Sequence, residues 1–578
     1  MNIFLSQIKR WKVLILLNAL YAAAGLLWII LIPYNNAPDE NTHFHYSVEF
    51  IIQHHRLPVW GVDDIERFRH ALSSYNQMPA LNYVLYAIGG ALANKLFGME
   101  IYLGARLVSL GWGLVFLNFL FFAVRELCGN NKNALIVSAA IALIPQVFFS
   151  FCYVNGDAHS LAIAAVLGFA LMRLLRNQSI PNIIFAGAAI GLLFSAKYNY
   201  YIYFPGIAVF LLLAVFQRTI SWKTIGRLVI ASALLSLLIS GYWFIRNAIL
   251  YGNPLPILLS EDFFKSIALA REVHPVNHGL NIPALTWLVQ NGFIGTTFNS
   301  FFAVFGYLNV GFHNEIYIIL QFIVPLIAFL FIIDLMMTKD LVARDMLGWL
   351  LLMIFAVIGL HVWACLTYDY QPQGRYQFTV LVPIALYAGW AITRQVTLWK
   401  HAVFFLIMMI WLFIGANILI VRTYAFPVQF SIAWSGTDKP RETLAKPGQA
   451  RGKHFNPSKY SLQKAIRTEK NFYATETIML AGDSEVAFLR VGLPEGFLGR
   501  YRDFKLELET NEGVITNDWT ATPPEQLINT AFNKQLNAFE VCGYDSYFIL
   551  PLRNIAAKVK SVKIGCRIEN RRLYDLDE

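Results

Sequence analysis

Charged residues are scarce in this chain. They make up 14% of its 578 residues, whereas hydrophobic residues make up 57% and aromatic residues 15%. An ordinary soluble domain carries roughly 25% charged residues, so the composition argues against a soluble globular protein. Apolar runs long enough to cross a bilayer recur, for example VLILLNALYAAAGLLWIILI (13–32) and IYIILQFIVPLIAFLFIIDLMM (316–337). The sequence therefore predicts a polytopic α-helical membrane protein.

Cysteine is also rare, with five in the chain. Cys128, Cys152 and Cys365 are scattered in membrane segments without metal-ligand spacing, which excludes a cysteine metal centre there. Cys542 and Cys566 lie in the C-terminal part, and an oxidising compartment would permit them to pair. Spacing alone leaves both a bridge and two free thiols open.

The positive charge of the chain has a topological explanation. The formal net charge is +10, and much of it sits in short loops between apolar runs, as expected for loops on the cytoplasmic side. No stretch combines basic and aromatic residues in the manner of a nucleic-acid platform. We therefore expect no nucleic-acid partner.

The polar segments between the apolar runs predict the topology. Lys9, Arg10 and Lys12 precede the first run, which is too long for a signal peptide, so we expect a retained span with a cytoplasmic N-terminus. Segment 80–97 is assigned to the interface or to a re-entrant loop, because this choice keeps the later basic clusters cytoplasmic. We predict about eleven spans, at 13–33, 103–124, 134–152, 158–175, 183–198, 201–217, 228–245, 315–337, 346–366, 376–393 and 401–421.

The character of the chain changes after about residue 425. Residues 426–470 are polar and punctuated by Gly and Pro, which predicts a linker after the membrane module of residues 1–425. Residues 471–578 contain short alternating stretches such as FKLELET and SVKIGCRI, which predict a β-rich domain, a sandwich in our interpretation. An odd number of spans from a cytoplasmic start places this domain outside the cytoplasm.

Ionisable residues gather on the predicted outer face. The carboxylates of Asp39 and Glu40 follow the first span, at the start of an outer loop over about 34–102. Four further ionisable residues stand at outer ends of apolar segments: Asp157, Lys197, Arg246 and Arg375. Ionisable residues near membrane depth are a functional hypothesis by default. Carboxylates and cations at one face indicate a site that handles an anionic group and a proton.

Several short motifs together resemble a known family. They are APDENTHFHY, NQMPALNYVLYAI, NGD, SAKY, WFIRN, YGNPLP, FFAVFGYLNV and QGRYQFTVLVP, in this order along residues 10–420. This order is similar to that of the GT-C superfamily of membrane glycosyltransferases, which includes protein O-mannosyltransferases and lipid A aminoarabinose transferases. The acidic pair in the first outer loop is the most diagnostic element. No GxGxxG or P-loop motif is present, in keeping with a family that uses no nucleotide donor.

The resemblance implies a reaction. Such enzymes transfer a hexose or pentose from a polyprenyl phosphate to a hydroxyl acceptor, with inversion. Asp39 would be the general base, with Glu40 positioning the acceptor or sharing that role. Two binding sites are also expected. The lipid phosphate would be bound by Arg375, Arg246, Lys197 and Tyr376. The donor or acceptor sugar would be bound by Asp157, Asn155, His43 and Tyr46.

The resemblance also implies a setting. We expect the cytoplasmic (inner) membrane of a bacterium, with the active site on the periplasmic face. The partners would be the lipid-linked sugar donor, a glycan or lipid-linked glycan acceptor such as surface polysaccharide or O-antigen, and membrane lipids. No cofactor is predicted. A bound divalent metal is an alternative that only the His-x-His spacing of His43 and His45 supports.

Each assignment has an ordinary alternative. An acidic pair after a span is often a solvated stop, arginines at helix ends often snorkel to the interface, and Asp157 could cap a helix. The long outer loop 247–313 could gate a lipid tail or simply pack on the spans. For the whole protein, the alternatives are a transporter or flippase, or a polymer ligase, of lipid-linked glycans.

Overall fold

The fold was analysed on a computed structural model. It describes residues 2–64, 75–259, 278–306, 308, 310–336, 341–367 and 370–421, then residue 424 and the strands given below. The described chain forms two compact units, Met1–Arg422 and Thr423–Glu578. Each unit is described by itself.

The first unit is mostly helical. Its α-helices are α1 Asn2–Leu31, α2 Glu40–His43, α3 Phe50–His54, α4 Leu81–Phe97, α5 Ile101–Cys128, α6 Asn131–Ala142, α7 Pro145–Ser150, α8 Gly156–Arg176, α9 Ile180–Leu193, α10 Tyr203–Phe216, α11 Trp222–Ile239, α12 Gly241–Tyr251, α13 Ile282–Gln290, α14 Phe293–Phe302, α15 Asn314–Met336, α16 Leu341–Thr367, α17 Leu381–Ala391 and α18 Val396–Ile420. A π-helix covers Phe44–Glu49, and 3₁₀-helices cover Tyr198–Ile202, Pro256–Leu259 and Gly374–Val380. Two short strands, β1 Val304–Phe305 and β2 Val310–Gly311, pair antiparallel.

The prediction of a polytopic helical membrane protein is confirmed. Within the described residues, eight helices are long and apolar enough to cross a bilayer. The predicted span 134–152 is divided into α6 and α7, because Pro145 starts a new helix and cannot donate to a preceding turn. The predicted span 183–198 is only the 14-residue α9. The predicted span 376–393 begins as a 3₁₀-helix before α17.

The helix at the centre of the first unit is α8. It is the most buried candidate span, with 78% of its apolar window inside the protein, and it packs along α5. Its first turn begins at Asn155, whose side-chain Oδ1 accepts hydrogen bonds from the backbone N–H groups of Asp157 and Ala158 at 2.8 and 2.9 Å. This cap satisfies two of the donors that a helix start leaves open. The cap therefore fixes Asp157 in the first turn of a buried helix.

The second unit contains strands in its described residues. They are β3 Gln429–Ser435, β4 Tyr460–Glu469, β5 Phe472–Thr475, β6 Ile478–Met479, β7 Phe488–Gly492, β8 Gly499–Thr510, β9 Gly513–Thr516, β10 Gln526–Ile528, β11 Thr530–Asn533, β12 Ala538–Val541, β13 Tyr547–Pro551 and β14 Val559–Asn570. The longest ladder joins β8 to β14 antiparallel, and Leu506, Leu508 and Ile564 are buried along it.

Two predictions concern residues of the C-terminal part. The range 426–470, expected to be a linker, contains β3 and β4, because both segments find antiparallel partners. The pairing of Cys542 with Cys566 cannot be followed, since Cys542 lies outside the described residues. The extracytoplasmic position of this part, and an accessory role for it in binding glycan, stay predictions.

Candidate active site

Asp39 and Arg375 form an ion pair, although they stand 336 positions apart in the chain. Arg375 Nη2 donates to Asp39 Oδ2 at 2.8 Å. The arginine side chain is 4% exposed and the carboxylate 37% exposed. The cation is therefore deep in the protein, while the carboxylate remains accessible to an incoming molecule.

The local backbone presents the Asp39 carboxylate. Asp39 has a φ of +63°, in the left-handed region that non-glycine residues seldom adopt. Its carbonyl accepts the backbone N–H of His43 at 3.0 Å, so the residue precedes the short helix α2. The Tyr75 hydroxyl also lies near the Asp39 carboxylate and lowers its pKa. Strain of this kind is typical of functional sites, where the surroundings hold a residue in place.

Glu40 points the other way, into the protein, and pairs with Arg106. Arg106 Nε and Nη2 donate to the two Glu40 oxygens at 2.7 and 2.6 Å, and both side chains are fully buried. The backbone N–H groups of Asn35 and Val154 donate to the same carboxylate. Both Glu40 oxygens are occupied, so the expected sharing of the base role does not fit this geometry.

The remaining Arg106 donors tie this pair to the end of the first span. Arg106 Nη1 donates to the carbonyls of Ile29 and Ile32 at 3.0 and 2.6 Å, and Nη2 donates to Pro33 at 3.0 Å. These carbonyls have no later helical turn to bond, because α1 ends at Leu31. The Glu40–Arg106 pair thus anchors the segment that carries Asp39.

A glycine lets Arg375 approach the site. A Cβ atom on Gly374 would lie 2.1 Å from the backbone nitrogen of Phe301, so only glycine fits beside α14. The Gly374 N–H donates to Ser300 Oγ at 2.8 Å, which fixes the start of the 3₁₀-helix. Arg375 Nη1 then reaches Tyr153 Oη at 3.4 Å.

A second buried ion pair lies next to the first. Lys197 Nζ donates to both carboxylate oxygens of Asp157 at 3.2 Å. The Lys197 amine lies 5.4 Å from the centre of the Tyr376 ring, and the Arg375 guanidinium carbon lies 5.6 Å from it. Both cations are thus within cation–π distance of one aromatic ring. The two ion pairs form one cluster, which we call the charged cluster: Asp39, Asp157, Lys197, Arg375 and Tyr376.

His43 lines the same region as a neutral side chain. Its ring stacks on Tyr75 with centroids 3.9 Å apart, and its Nδ1 is 2.8 Å from Tyr83 Oη. Burial lowers the pKa of His43 to about 3, so the imidazole carries no charge at neutral pH.

The pKa of Asp39 is set by two opposed effects. Burial raises it, whereas the charge and hydrogen bond of Arg375 are the largest of several effects that lower it, and the pKa lies below its ordinary value of 3.8. Asp39 is therefore ionised at neutral pH.

Besides Glu40 and His43, three predicted site residues lie outside the charged cluster. Arg246 Nη2 donates to the carbonyl of Pro58 at 2.7 Å, so it holds the first outer loop. Asn155 uses its side chain within the protein, as the cap of α8 and as donor to the carbonyls of Ser150 and Tyr153. The Tyr46 ring packs edge-on against His45 at 4.9 Å. Within the described residues no group of three potential metal ligands is found.

Sequence reasoning missed several residues that shape the site. Arg106, Tyr75 and Tyr153 were not singled out, although each contacts one of the acidic pair or Arg375. Arg106 carried a usable signal, because it is a charged residue inside an apolar run. The two tyrosines carried none, since aromatic residues are common at membrane interfaces.

Comparison with known families bears on this site. Residues 84–243 match the family model described as dolichyl-phosphate-mannose-protein mannosyltransferase. The matched segment includes Arg106, Asp157 and Lys197. Over this segment, the predicted resemblance to protein O-mannosyltransferases is confirmed. A search of curated proteins finds no match to the sequence.

Several solved structures are also similar to this chain, at low sequence identity. ArnT of Cupriavidus metallidurans in the apo state is 14% identical with a TM-score of 0.40, over 72% of this chain and 73% of that one. The oligosaccharyltransferase of Archaeoglobus fulgidus, in complex with zinc and sulfate, is 16% identical with a TM-score of 0.42. That match covers 70% of this chain and 52% of the archaeal one, so this chain spans about half its length. The arabinosyltransferase EmbB of Mycobacterium smegmatis is 11% identical with a TM-score of 0.33, over 98% and 64% of the two chains.

Proposed function

We propose that this protein transfers a sugar from a polyprenyl-phosphate donor to a hydroxyl acceptor at the outer face of the cytoplasmic membrane. The observation that carries the proposal is the charged cluster. It combines an accessible, ionised carboxylate with two buried cations around one aromatic ring. Those groups match the needs of displacement at an anomeric carbon: a proton acceptor and cations for a departing phosphate.

In the reaction, Asp39 accepts the proton of the acceptor hydroxyl. The acceptor oxygen then bonds to the anomeric carbon, and the bond from that carbon to the phosphate oxygen breaks. The electron pair leaves on the polyprenyl phosphate, whose added negative charge Arg375 and Lys197 stabilise. Attack from the face opposite the leaving group inverts the anomeric centre, so a β-linked donor gives an α-linked product.

The ion pairs have a consequence for the order of events. Without donor, the Arg375 guanidinium is held by Asp39 at 2.8 Å, and Lys197 is held by Asp157. A phosphate that binds Arg375 competes with Asp39 for the same donor group. Because the Arg375 charge lowers the pKa of Asp39, drawing this cation toward phosphate makes the carboxylate a stronger base. Donor binding thus prepares the base for the acceptor.

Glu40 takes a positioning role in this account. Its pair with Arg106 holds the end of the first span and so the backbone of the neighbouring Asp39. Arg246 and Asn155 likewise support the loop and helix that border the cluster.

Transfer by the purified full chain tests the proposal. Short-chain polyprenyl phosphates bearing mannose, glucose, galactose or arabinose serve as donors, with envelope glycans as acceptors, and the product is identified by mass spectrometry. Wild-type protein should glycosylate an acceptor, and Asp39→Asn should not. Glu49→Gln is the matched control, since Glu49 is an acidic residue of the same loop that pairs with His45. Movement of intact donor across vesicle membranes without transfer would favour the transporter alternative.

A further inference from the structure

A narrow pocket opens beside the charged cluster. Its lining includes Lys197, together with His43 and Tyr75. The Tyr75 hydroxyl lies near the Asp39 carboxylate, and the His43 ring stacks on Tyr75. The pocket is therefore adjacent to the proposed base, and it has room for about one water-sized group.

Two polar atoms in the lining of this pocket have no hydrogen-bond partner among the described residues. They are Asn82 Oδ1 and His159 Nε2. The two residues are 3% and 1% exposed. Buried polar atoms are nearly always paired in native proteins, so two orphans in one pocket call for an explanation.

Neither side chain is free to turn away. The Asn82 amide nitrogen donates to the carbonyl of Asn155 at 2.9 Å, which leaves Oδ1 as the unpaired atom. The His159 ring packs edge-on against Trp112 with centroids 4.8 Å apart. Two residues that line one small pocket thus carry an acceptor oxygen and an imidazole nitrogen that have no partner among the described residues.

We propose that this pocket receives one hydroxyl-bearing substituent of the transferred sugar, and that Asn82 and His159 recognise it. A hydroxyl group both donates and accepts, so it can donate to Asn82 Oδ1 and accept from His159 Nε2–H. An anionic substituent fits less well, because Asn82 Oδ1 is itself a hydrogen-bond acceptor and would face the anion without a proton between them. This inference rests on the proposed function.

The test compares donors that lack single hydroxyl groups. The donor that the wild-type chain turns over, from the four named above, is prepared in each monodeoxy form. One deoxy position should lower wild-type kcat/KM by about 10- to 100-fold, because the buried partners are left unpaired. In His159→Phe, transfer from the intact donor should be slower than in wild type. Removing the same hydroxyl from the donor should then lower kcat/KM by only about threefold or less.

Two further variants keep the result interpretable. Tyr21→Phe removes a buried hydroxyl that has no partner among the described residues and that does not line the pocket. Its deoxy profile, meaning the kcat/KM of each monodeoxy donor relative to the intact donor, should match that of wild type. His159→Gln keeps a polar group and should retain part of the discrimination. A deoxy profile that is the same in wild type and in both His159 variants would overturn the inference. The pocket would then hold a water molecule and no sugar hydroxyl. Absence of transfer from every donor would overturn the proposed function itself.

Discussion

Replacing Glu40 by Gln separates a structural role from a catalytic one. Glu40 and Arg106 are both fully buried, and their bidentate contacts are 2.7 and 2.6 Å long. Glutamine keeps the shape but leaves the Arg106 charge uncompensated. Breaking a buried pair of this kind costs about 3–5 kcal/mol of folding stability. We therefore expect Glu40→Gln to lower the thermal unfolding temperature of the purified protein in detergent by several degrees.

The matched control is Glu126→Gln. Glu126 also pairs with an arginine, Arg176, at 2.8 Å, but that arginine is 70% exposed. An exposed pair contributes about 0–1 kcal/mol, so this variant should unfold close to wild type. A second variant, Glu40→Gln combined with Arg106→Gln, should recover part of the lost stability because no buried charge remains. If Glu40→Gln unfolds like wild type yet loses turnover, Glu40 takes part in the chemistry and the positioning role is wrong.

Three further predictions concern the cation, the pH dependence and the C-terminal unit. Gly374→Ala should abolish transfer because the added methyl group meets the backbone of Phe301, whereas Gly348→Ala, with open space around it, should be active. Between about pH 5 and pH 8, kcat/KM should not change with pH, because the pKa of His43 is about 3 and that of Asp39 is below 3.8. At lower pH, kcat/KM should fall as Asp39 becomes protonated. An inflection near pH 6.5 that disappears in His43→Phe would contradict this. Truncation after residue 425 should weaken acceptor use and leave donor binding intact; a folded truncated protein without donor binding would refute the accessory role.

The membrane part was predictable where apolar runs are unbroken. Helices such as α5 and α18 follow directly from length and hydropathy. Prediction and structure differ where an apolar run contains a backbone change that hydropathy does not register. Pro145 divides one run into two helices, and the 3₁₀-helix Gly374–Val380 occupies the start of another.

The sequence predicted which residues belong to the site, but not which of them form ion pairs with each other. Asp39 and Arg375 were both expected at the outer face, but nothing in the sequence shows that a contact spans 336 positions. The two adjacent carboxylates also looked equivalent. The left-handed backbone at Asp39 separates them, because it turns one carboxylate toward the cleft and the next toward Arg106. Such a backbone conformation is set by the surrounding fold.

The central claim is that Asp39 is the base and Arg375 the phosphate ligand that it restrains. Donor affinity and turnover measured together in Asp39→Asn test it most directly. Turnover should fall by about 10²–10⁴-fold, while the short-chain donor should bind as tightly as in wild type or more tightly, because Arg375 no longer bonds a carboxylate at 2.8 Å. Transfer at the wild-type rate, or loss of donor binding in step with turnover, would contradict the account.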